Sequence, residues 1–464
     1  MPMQLDALFR PQSIAVVGAS EKPTIGRRLI ASLDRIGFKD EIFPVNPNYS
    51  TVAGRQCWPS LAELPVAPDV AAFCVGHERI LDPLTAAAAR GVKAAVIYDR
   101  GFAEHGADGR RLQSRVESIC REAGIALCGP NCMGVLSTHH RSTTYLQELR
   151  DPDGLAGNVA IVSQSGAFCV SLLTDLRRFG FSHIASSGNE AVLVAADYLE
   201  YLADDPHTRA IGCFIESVRQ PERFAAALDR AARLDKPVIV LKVGRSERTR
   251  QAITTHTGGD AGNPGLASEL FRAHRAIEVA DLSEFTEVLA AAQSAKPATG
   301  PRLGVITSSG GLAELILDIA ASTGLSLPPL SPALKAEVEQ HIGFVSGDGN
   351  PLDAWGSGTF VSNLPQALAV LDKSPDHDII VFCRDNFDGQ PFEAPEIAST
   401  YLELFAGAAA ASQKPHYLLG ARAGLLNREH AAYLRARGIA VVSGVREGLG
   451  AIDRVARNAI AKGA

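Results

Sequence analysis

No run of Lys or Arg stands out in this chain, and 45 basic residues are outnumbered by 51 acidic ones, a net charge of −6. That balance leaves no electrostatic footprint for nucleic acid. No apolar run approaches a membrane span, and residues 1–9 carry no apolar signal core. Neither membrane insertion nor export is expected, so the expected compartment is the cytoplasm. The eight cysteines (Cys57, Cys74, Cys120, Cys128, Cys132, Cys169, Cys213 and Cys383) form no CxxC pair and no Cys/His zinc spacing. They lie mostly within apolar strands, so buried thiols are expected rather than disulfides or a metal site. A GxGxxG dinucleotide fingerprint is missing too.

What is present is an alternation of buried strands and alanine-rich helices over 464 residues, enough for about three domains at ~150 residues each. Ser13-Ile14-Ala15-Val16-Val17 reads as a buried parallel strand turning through Gly18-Ala19-Ser20 into a helix near Gly26. Strand signals follow at 41–45, 70–75, 94–98 and 125–128, with helical stretches between. The pattern predicts an α/β fold, a parallel sheet covered on both faces. Two further units open alike, Val159-Ala160-Ile161-Val162 into Ser163-Gln164-Ser165-Gly166 and Leu303 to Thr307 into Ser308-Ser309-Gly310-Gly311. Their later strands match as well, 211–216 with 379–384 and 236–240 with 414–418, which predicts a duplicated flavodoxin-like domain. The expected division is 1–145, 146–297 and 298–464.

The first turn does not suit a nicotinamide cofactor. The second strand ends in Val45-Asn46-Pro47, with no acid for an adenosine ribose. Its helix start still offers amides to a phosphate, with Lys22, Arg27 and Arg28 near; the alternative is a plain strand-to-helix turn. The paired serine turns each offer free amides, hydroxyls and the positive end of a helix dipole. If the duplicated domains face each other, the two starts can converge on one anion; singly, each is an ordinary helix cap.

The third matching region differs. After the strand at 237–241, the polar stretch Lys242-Val243-Gly244-Arg245-Ser246 and residues 254–265 read as a loop at the ligand end of a sheet, containing His256-Thr257-Gly258. The other copy passes almost directly from Gly420 into helix. His256 is read as a nucleophile carrying a phosphoryl group, against the alternative of a solvated surface histidine. Glu216, ending the neighbouring strand, can hold one imidazole N–H and leave the other nitrogen to attack; the alternative is a strand-end carboxylate paired with Arg219.

In chain order, 13–20, Phe43-Pro44-Val45-Asn46-Pro47, Gly129-Pro130-Asn131-Cys132, Ser163-Gln164-Ser165-Gly166, Ile215-Glu216-Ser217, Lys242 to Ser246 and His256-Thr257-Gly258 resemble the NDP-forming acyl-CoA synthetases, relatives of succinyl-CoA synthetase. The resemblance spans nearly the whole chain. It implies a Rossmann-like CoA-binding domain followed by two flavodoxin-like domains. It implies that carboxylate, CoA and ATP interconvert with acyl-CoA, NDP and phosphate through an acyl phosphate and a phosphohistidine. By position, His256 is implied as the phosphorylated residue and Glu216 as its partner. Ser163, Gln164, Ser165, Gly166, Ser308, Ser309, Gly310, Gly311, Thr257 and Gly258 are implied as phosphate-binding. Coenzyme A is implied at Gly18, Ala19, Ser20, Lys22, Gly26, Asn46, Val75, Gly76, Asn131 and Cys132.

Two places depart from the family pattern. Val75-Gly76-His77 stands where many relatives have Val-Pro-Ala, and Asp99-Arg100 where they have small residues, which puts an acetate-like substrate in question. Arg100 is open to a second anionic group or to pairing with Asp99. Nothing here reads as an ATP-grasp module, so ATP and Mg are expected on a partner β-type chain, in a homo- or hetero-oligomer. The rival reading is a non-catalytic CoA-binding or regulatory protein of the same fold.

Overall fold

Strands of Ala, Val, Ile and Phe, buried along most of their length, form the centre of each sheet in this chain. The structure, a computed structural model, describes residues 5–149, 151–173, 178–257, 262–355, 359–385, 395–424 and 426–461, the side chains at 254–257 and 395–396 excepted. It divides into two compact units, Met1–Thr174 with Gly180–Glu278, and Asp175–Phe179 with Val279–Ala464.

The first unit holds two sheets. One is five-stranded and parallel, in the spatial order Glu41–Val45, Ser13–Val17, Val70–Phe73, Ala94–Ile97 and Ala126–Cys128. Its covering helices are amphipathic. Helix Ile25–Ile36 buries Leu29, Ile30, Leu33 and Ile36 on one face, each worth roughly 1.5–3 kcal/mol relative to exposure. The chain runs from Ser13–Val17 outward to one neighbour and then back to the other. The crevice at this reversal therefore lies beyond the carboxyl ends of Ser13–Val17 and Val70–Phe73.

The second sheet has seven strands, ordered Ile277–Val279, Val238–Lys242, Ala210–Ile215, Ala156–Ser163, Phe181–Ser186, Gly134–Ser137 and Ser142–Thr143. The hairpin Gly134–Ser137/Ser142–Thr143 runs antiparallel to Phe181–Ser186, so this sheet begins before residue 146. Its reversal lies between Ala156–Ser163 and Ala210–Ile215.

The second unit is built on a parallel sheet ordered Leu352–Asp353, Leu303–Thr307, Ile379–Cys383, His416–Gly420 and Ala440–Ser443. Its order and reversal repeat the five core strands of the second sheet, the duplication expected from sequence. Helix Leu282–Ala291 belongs here and contributes Glu287, whose Oε2 accepts from Ser443 N at 2.9 Å and whose Oε1 is ion-paired with Arg178. Both side chains of that pair are buried. Among the described residues no helix is long and apolar enough to cross a membrane.

Candidate active site

Strand Ala156–Ser163 ends where its alternation of buried side chains gives way to a polar turn. Ser163 Oγ accepts from Ser165 N at 3.1 Å and donates to Ser165 O at 2.7 Å, closing the turn on itself. Helix Gly166–Leu173 starts there, its first residue lying against Met133, whose Cγ would be 2.6 Å from a Cβ at Gly166.

Gln164 carries the turn across the reversal. Its Oε1 accepts from Glu216 N at 2.6 Å and Ser217 N at 2.9 Å, and its Nε2 donates to Ser217 O at 2.8 Å. Gln164, Glu216 and Ser217 are all buried. The Lys242 ammonium donates to the carbonyl oxygens of Glu216 at 2.8 Å and Val243 at 2.5 Å. Burial lowers its pKa to about 8, opposed by the Glu216 carboxylate. Three strand ends are thereby locked together around Glu216.

Residues 242–246 leave the sheet as the sequence predicts, but within the stretch 254–265 expected as loop, residues 254–257 end one helix and 264–265 begin another. Helix Glu247–Thr257 is started by Ser246, whose Oγ accepts from Thr249 N at 3.2 Å, and Glu247 stands in its first turn. A second helix, Pro264–Ala273, starts at the Asn263 cap. The N-cap serine outweighs the run of Thr and Gly that suggested a loop. His256 and Thr257 therefore sit on the last turn of a helix; their side chains, and all of Gly258, lie outside the described residues.

Arg219 is not the partner of Glu216. Its Nε stands 3.6 Å from Glu190 Oε2. Glu190 was missed from the sequence. It is buried, accepts from Ser187 Oγ at 2.8 Å, and is held at φ +55°. Burial pushes its pKa up to about 7, with the Gln164 amide, Arg219 and Ser187 pulling the other way. Ser187 N in turn donates to Ser163 O at 2.8 Å. The signal lay in Ser186-Ser187-Gly188-Asn189-Glu190, one more polar glycine turn after a strand.

In the second unit, Ser309 caps helix Gly310–Ala320 by accepting from Leu312 N at 3.4 Å, and Ser308 lies exposed beside it. Ser308 lines a cavity of about 260 Å³ with Trp355, Phe360, Arg384 and Tyr401.

At the edge of the first sheet, Gly18 has φ +89°, and a Cβ there would lie 2.7 Å from Cys74 O and 2.9 Å from Val75 Cγ1. The turn must therefore be glycine, and it touches the loop after the neighbouring strand. Asn46 Nδ2 donates to Ala19 O at 2.7 Å, and Ser20 Oγ accepts from Lys22 N at 3.0 Å. Gly26 packs under the turn, its Cβ position 3.0 Å from Gly18 O. Asn131 Nδ2 donates to Asn189 Oδ1 at 3.2 Å, joining this edge to the loop that carries Glu190. Cys132 is buried, its thiol donating to Ile97 O at 3.4 Å. Asp99 pairs with His77 at 2.9 Å, and Arg100 is exposed.

Comparison with known proteins agrees with this fold. Residues 12–138 match the family model of a CoA binding domain, and 156–292 that of the succinyl-CoA ligase-like flavodoxin domain. The chain is 35% identical over 348 residues to a trans-feruloyl-CoA synthase of an unknown prokaryotic organism, covering 73% of this chain and 49% of that protein. It is 32% identical over 361 residues to the alpha subunit of the ADP-forming acetate–CoA ligase I of Pyrococcus furiosus, covering 76% of this chain and 77% of the subunit. The chain thus spans about half of the first relative and most of the second. Among solved structures, an acetyl-coenzyme A synthetase of Candidatus Korarchaeum cryptofilum in complex with phosphate and ADP superposes with a TM-score of 0.86 at 27% identity, over 99% of this chain and 98% of that one. With its CoA-binding Rossmann-like sheet and its succinyl-CoA ligase-like flavodoxin sheets, the chain belongs to the ADP-forming acyl-CoA ligases, an acid–thiol ligase family, and is of their α type.

Proposed function

We propose that this chain is the α-type subunit of an acyl-CoA ligase converting a carboxylate, CoA and ATP to acyl-CoA, ADP and phosphate through an acyl phosphate and a phosphohistidine at His256. The observation that carries this reading is the Gln164 bridge, which fixes the 163–166 turn beside Glu216 at a sheet reversal, next to the strand that leads into the His256 helix. Glu216 holds one imidazole N–H, and the other nitrogen attacks phosphorus. The amides and hydroxyls of Ser163, Ser165 and Gly166, with Thr257 and Gly258, stabilise the bound phosphoryl group; a helix start contributes on the order of 0.3–1 kcal/mol, more when partly buried. Ser308 to Gly311 provide the matching helix start in the second unit.

Coenzyme A lies over Gly18, Ala19, Ser20, Lys22 and Gly26, bordered by Asn46, Val75, Gly76 and Asn131, in the domain of the first sheet, and two flavodoxin-like domains follow. ATP and its Mg belong to an ATP-grasp partner, in a cytoplasmic homo- or hetero-oligomer. The alpha-subunit names of two relatives support a partner.

Phosphate labelling tests the reading. With an ATP-grasp partner and ATP, the full chain takes up an acid-labile, base-stable phosphate, and His256→Ala abolishes it while CoA still binds. Glu216→Gln slows labelling without unfolding the chain. Label that persists in His256→Ala, or a wild-type chain that binds CoA and never labels, overturns the mechanism; the second result favours the non-catalytic rival.

A further inference from the structure

We propose that His77, oriented by Asp99, is a general base that takes the proton from the thiol of coenzyme A. This rests on the reading that the first sheet binds CoA. The pair stands at the crevice of that sheet. His77 follows strand Val70–Phe73, one wall of the reversal, and Asp99 follows the adjacent strand Ala94–Ile97. The opposite wall is the Gly18 turn, close enough to the 74–75 backbone and side chain that no Cβ fits between them. A ligand seated on that turn therefore reaches the loop that carries His77.

The imidazole is held in one orientation. Asp99 Oδ2 accepts from His77 N at 2.6 Å and pairs with its Nδ1 at 2.9 Å. A carboxylate at Nδ1 favours the proton there and presents Nε2 as the nitrogen that accepts one, with the Glu78 carboxylate 3.4 Å away to hold it once bound. The ring is pressed onto Gly101, where φ is +103° and a Cβ would lie 2.5 Å from Cε1 and Nδ1. Asp99 is fixed in turn, its carbonyl accepting from Asn131 N at 3.1 Å. The two side chains keep 31% and 40% of their surface exposed, so the pair, on the loops after two neighbouring strands, is open to solvent rather than filling the core. The other titratable groups facing the ring are Glu78, with Oε1 3.4 Å from Nε2, and His105, with its ring centroid 6.5 Å away. Neither carboxylate has a Lys or Arg ion-pair partner among the described residues. Both are therefore available to stabilise an imidazolium.

The step balances. The S–H bond of CoA breaks, an N–H bond forms at His77 Nε2, and the electron pair stays on sulfur. The thiolate attacks the carbonyl carbon of the acyl phosphate, the bond from that carbon to the phosphate oxygen breaks, and phosphate leaves with the pair. His77 then returns its proton to water. A free thiol with a pKa near ~8.5 is only a few per cent ionised at neutral pH, so a positioned base speeds this step.

The test reads the thiol directly. The ultraviolet thiolate absorbance of CoA bound to the full chain is followed against pH for wild type, His77→Gln and Asp99→Asn, with affinity from calorimetry. At neutral pH we expect a bound-thiolate fraction about 10-fold higher in wild type than in His77→Gln, an intermediate value for Asp99→Asn, and closely similar CoA affinities. Identical thiolate curves in wild type and either variant overturn the proposal and leave the CoA reading standing. Failure of the wild-type chain to bind CoA overturns both. Should His77→Gln lower the melting temperature enough to disturb the fold, the Asp99→Asn curve decides.

Discussion

The side-chain oxygen of Gln164 lies 2.6 Å from the backbone nitrogen of Glu216, so the end of one strand is held by the turn after its neighbour. Gln164→Ala removes the acceptor for two buried N–H groups and the donor to Ser217 O. Each buried polar group left unpaired costs about 1–3 kcal/mol, so a loss of roughly 2–4 kcal/mol is expected after local relaxation. Gln164→Glu keeps the acceptor but loses the donor and sets a second carboxylate beside buried Glu190, so it loses at least as much at neutral pH. Urea unfolding of both variants checks this; a loss below about 0.5 kcal/mol for Gln164→Ala would mean that the bridge does not hold Glu216 in place.

Glu190 makes stability depend on pH in a direction unusual for a carboxylate. Burial raises its pKa from 4.5 to about 7. Between those values the unfolded chain has released the proton and the folded chain still holds it. Stability from this group is therefore full below about pH 4.5 and falls as pH rises towards 7, by on the order of 3 kcal/mol. Glu190→Gln removes the slope, so the variant gains on wild type as pH rises from 5 to 8. A constant difference across that range, measured by denaturant titration, would show that Glu190 is already ionised in the folded state.

Much of this organisation was legible in the sequence, for a physical reason. Strands buried on both faces, such as Ser13–Val17 and Leu303–Thr307, read as short apolar runs, and ligand turns read as Ser and Gly directly after them. Strand Phe181–Ser186 escaped notice because it is fully buried yet polar. Ser182 shares a hydrogen bond with Thr208 at 2.7 Å, and Ser186 Oγ accepts from Met133 N at 3.0 Å. Such partners come from distant parts of the chain, and no local pattern reports them. The pairing of Glu190 with Arg219 was hidden in the same way, although the polar turn that carries Glu190 is a local signal. The 247–257 helix was hidden differently, since its single strong signal, the Ser246 cap, sits inside a stretch otherwise typical of a loop.

The Arg178–Glu287 pair is expected to behave asymmetrically. Glu287 accepts from Arg178, from Ser443 N and from Ser443 Oγ inside the second unit, with both charged side chains 8% exposed. Removing one partner strands a buried charge, so Arg178→Met should cost about 3–5 kcal/mol. Arg178→Met/Glu287→Leu should recover part of that loss. Guanidinium unfolding of the two single variants and the double variant measures the coupling. A double variant as unstable as the sum of the two single changes would show that the charges do not interact.

The same logic of forced proximity applies to Gly18. A side chain there meets two obstacles. Its φ of +89° lies in the left-handed region, which costs an L-residue on the order of 1–2 kcal/mol. Its Cβ would also stand 2.7 Å from the Cys74 carbonyl oxygen, a backbone atom that cannot swing aside. Gly18→Ala must therefore push the turn away from the 74–75 loop and widen the crevice that the two form. Gly91→Ala is the control. Its φ is also positive, at +80°, but a Cβ there meets nothing within 4 Å, so it carries the backbone strain without the clash. Calorimetry on the full chain should show CoA affinity falling at least ~10-fold for Gly18→Ala, a loss of about 1.4 kcal/mol, and far less for Gly91→Ala. Equal affinities in wild type and Gly18→Ala would place the phosphates of CoA somewhere other than this turn.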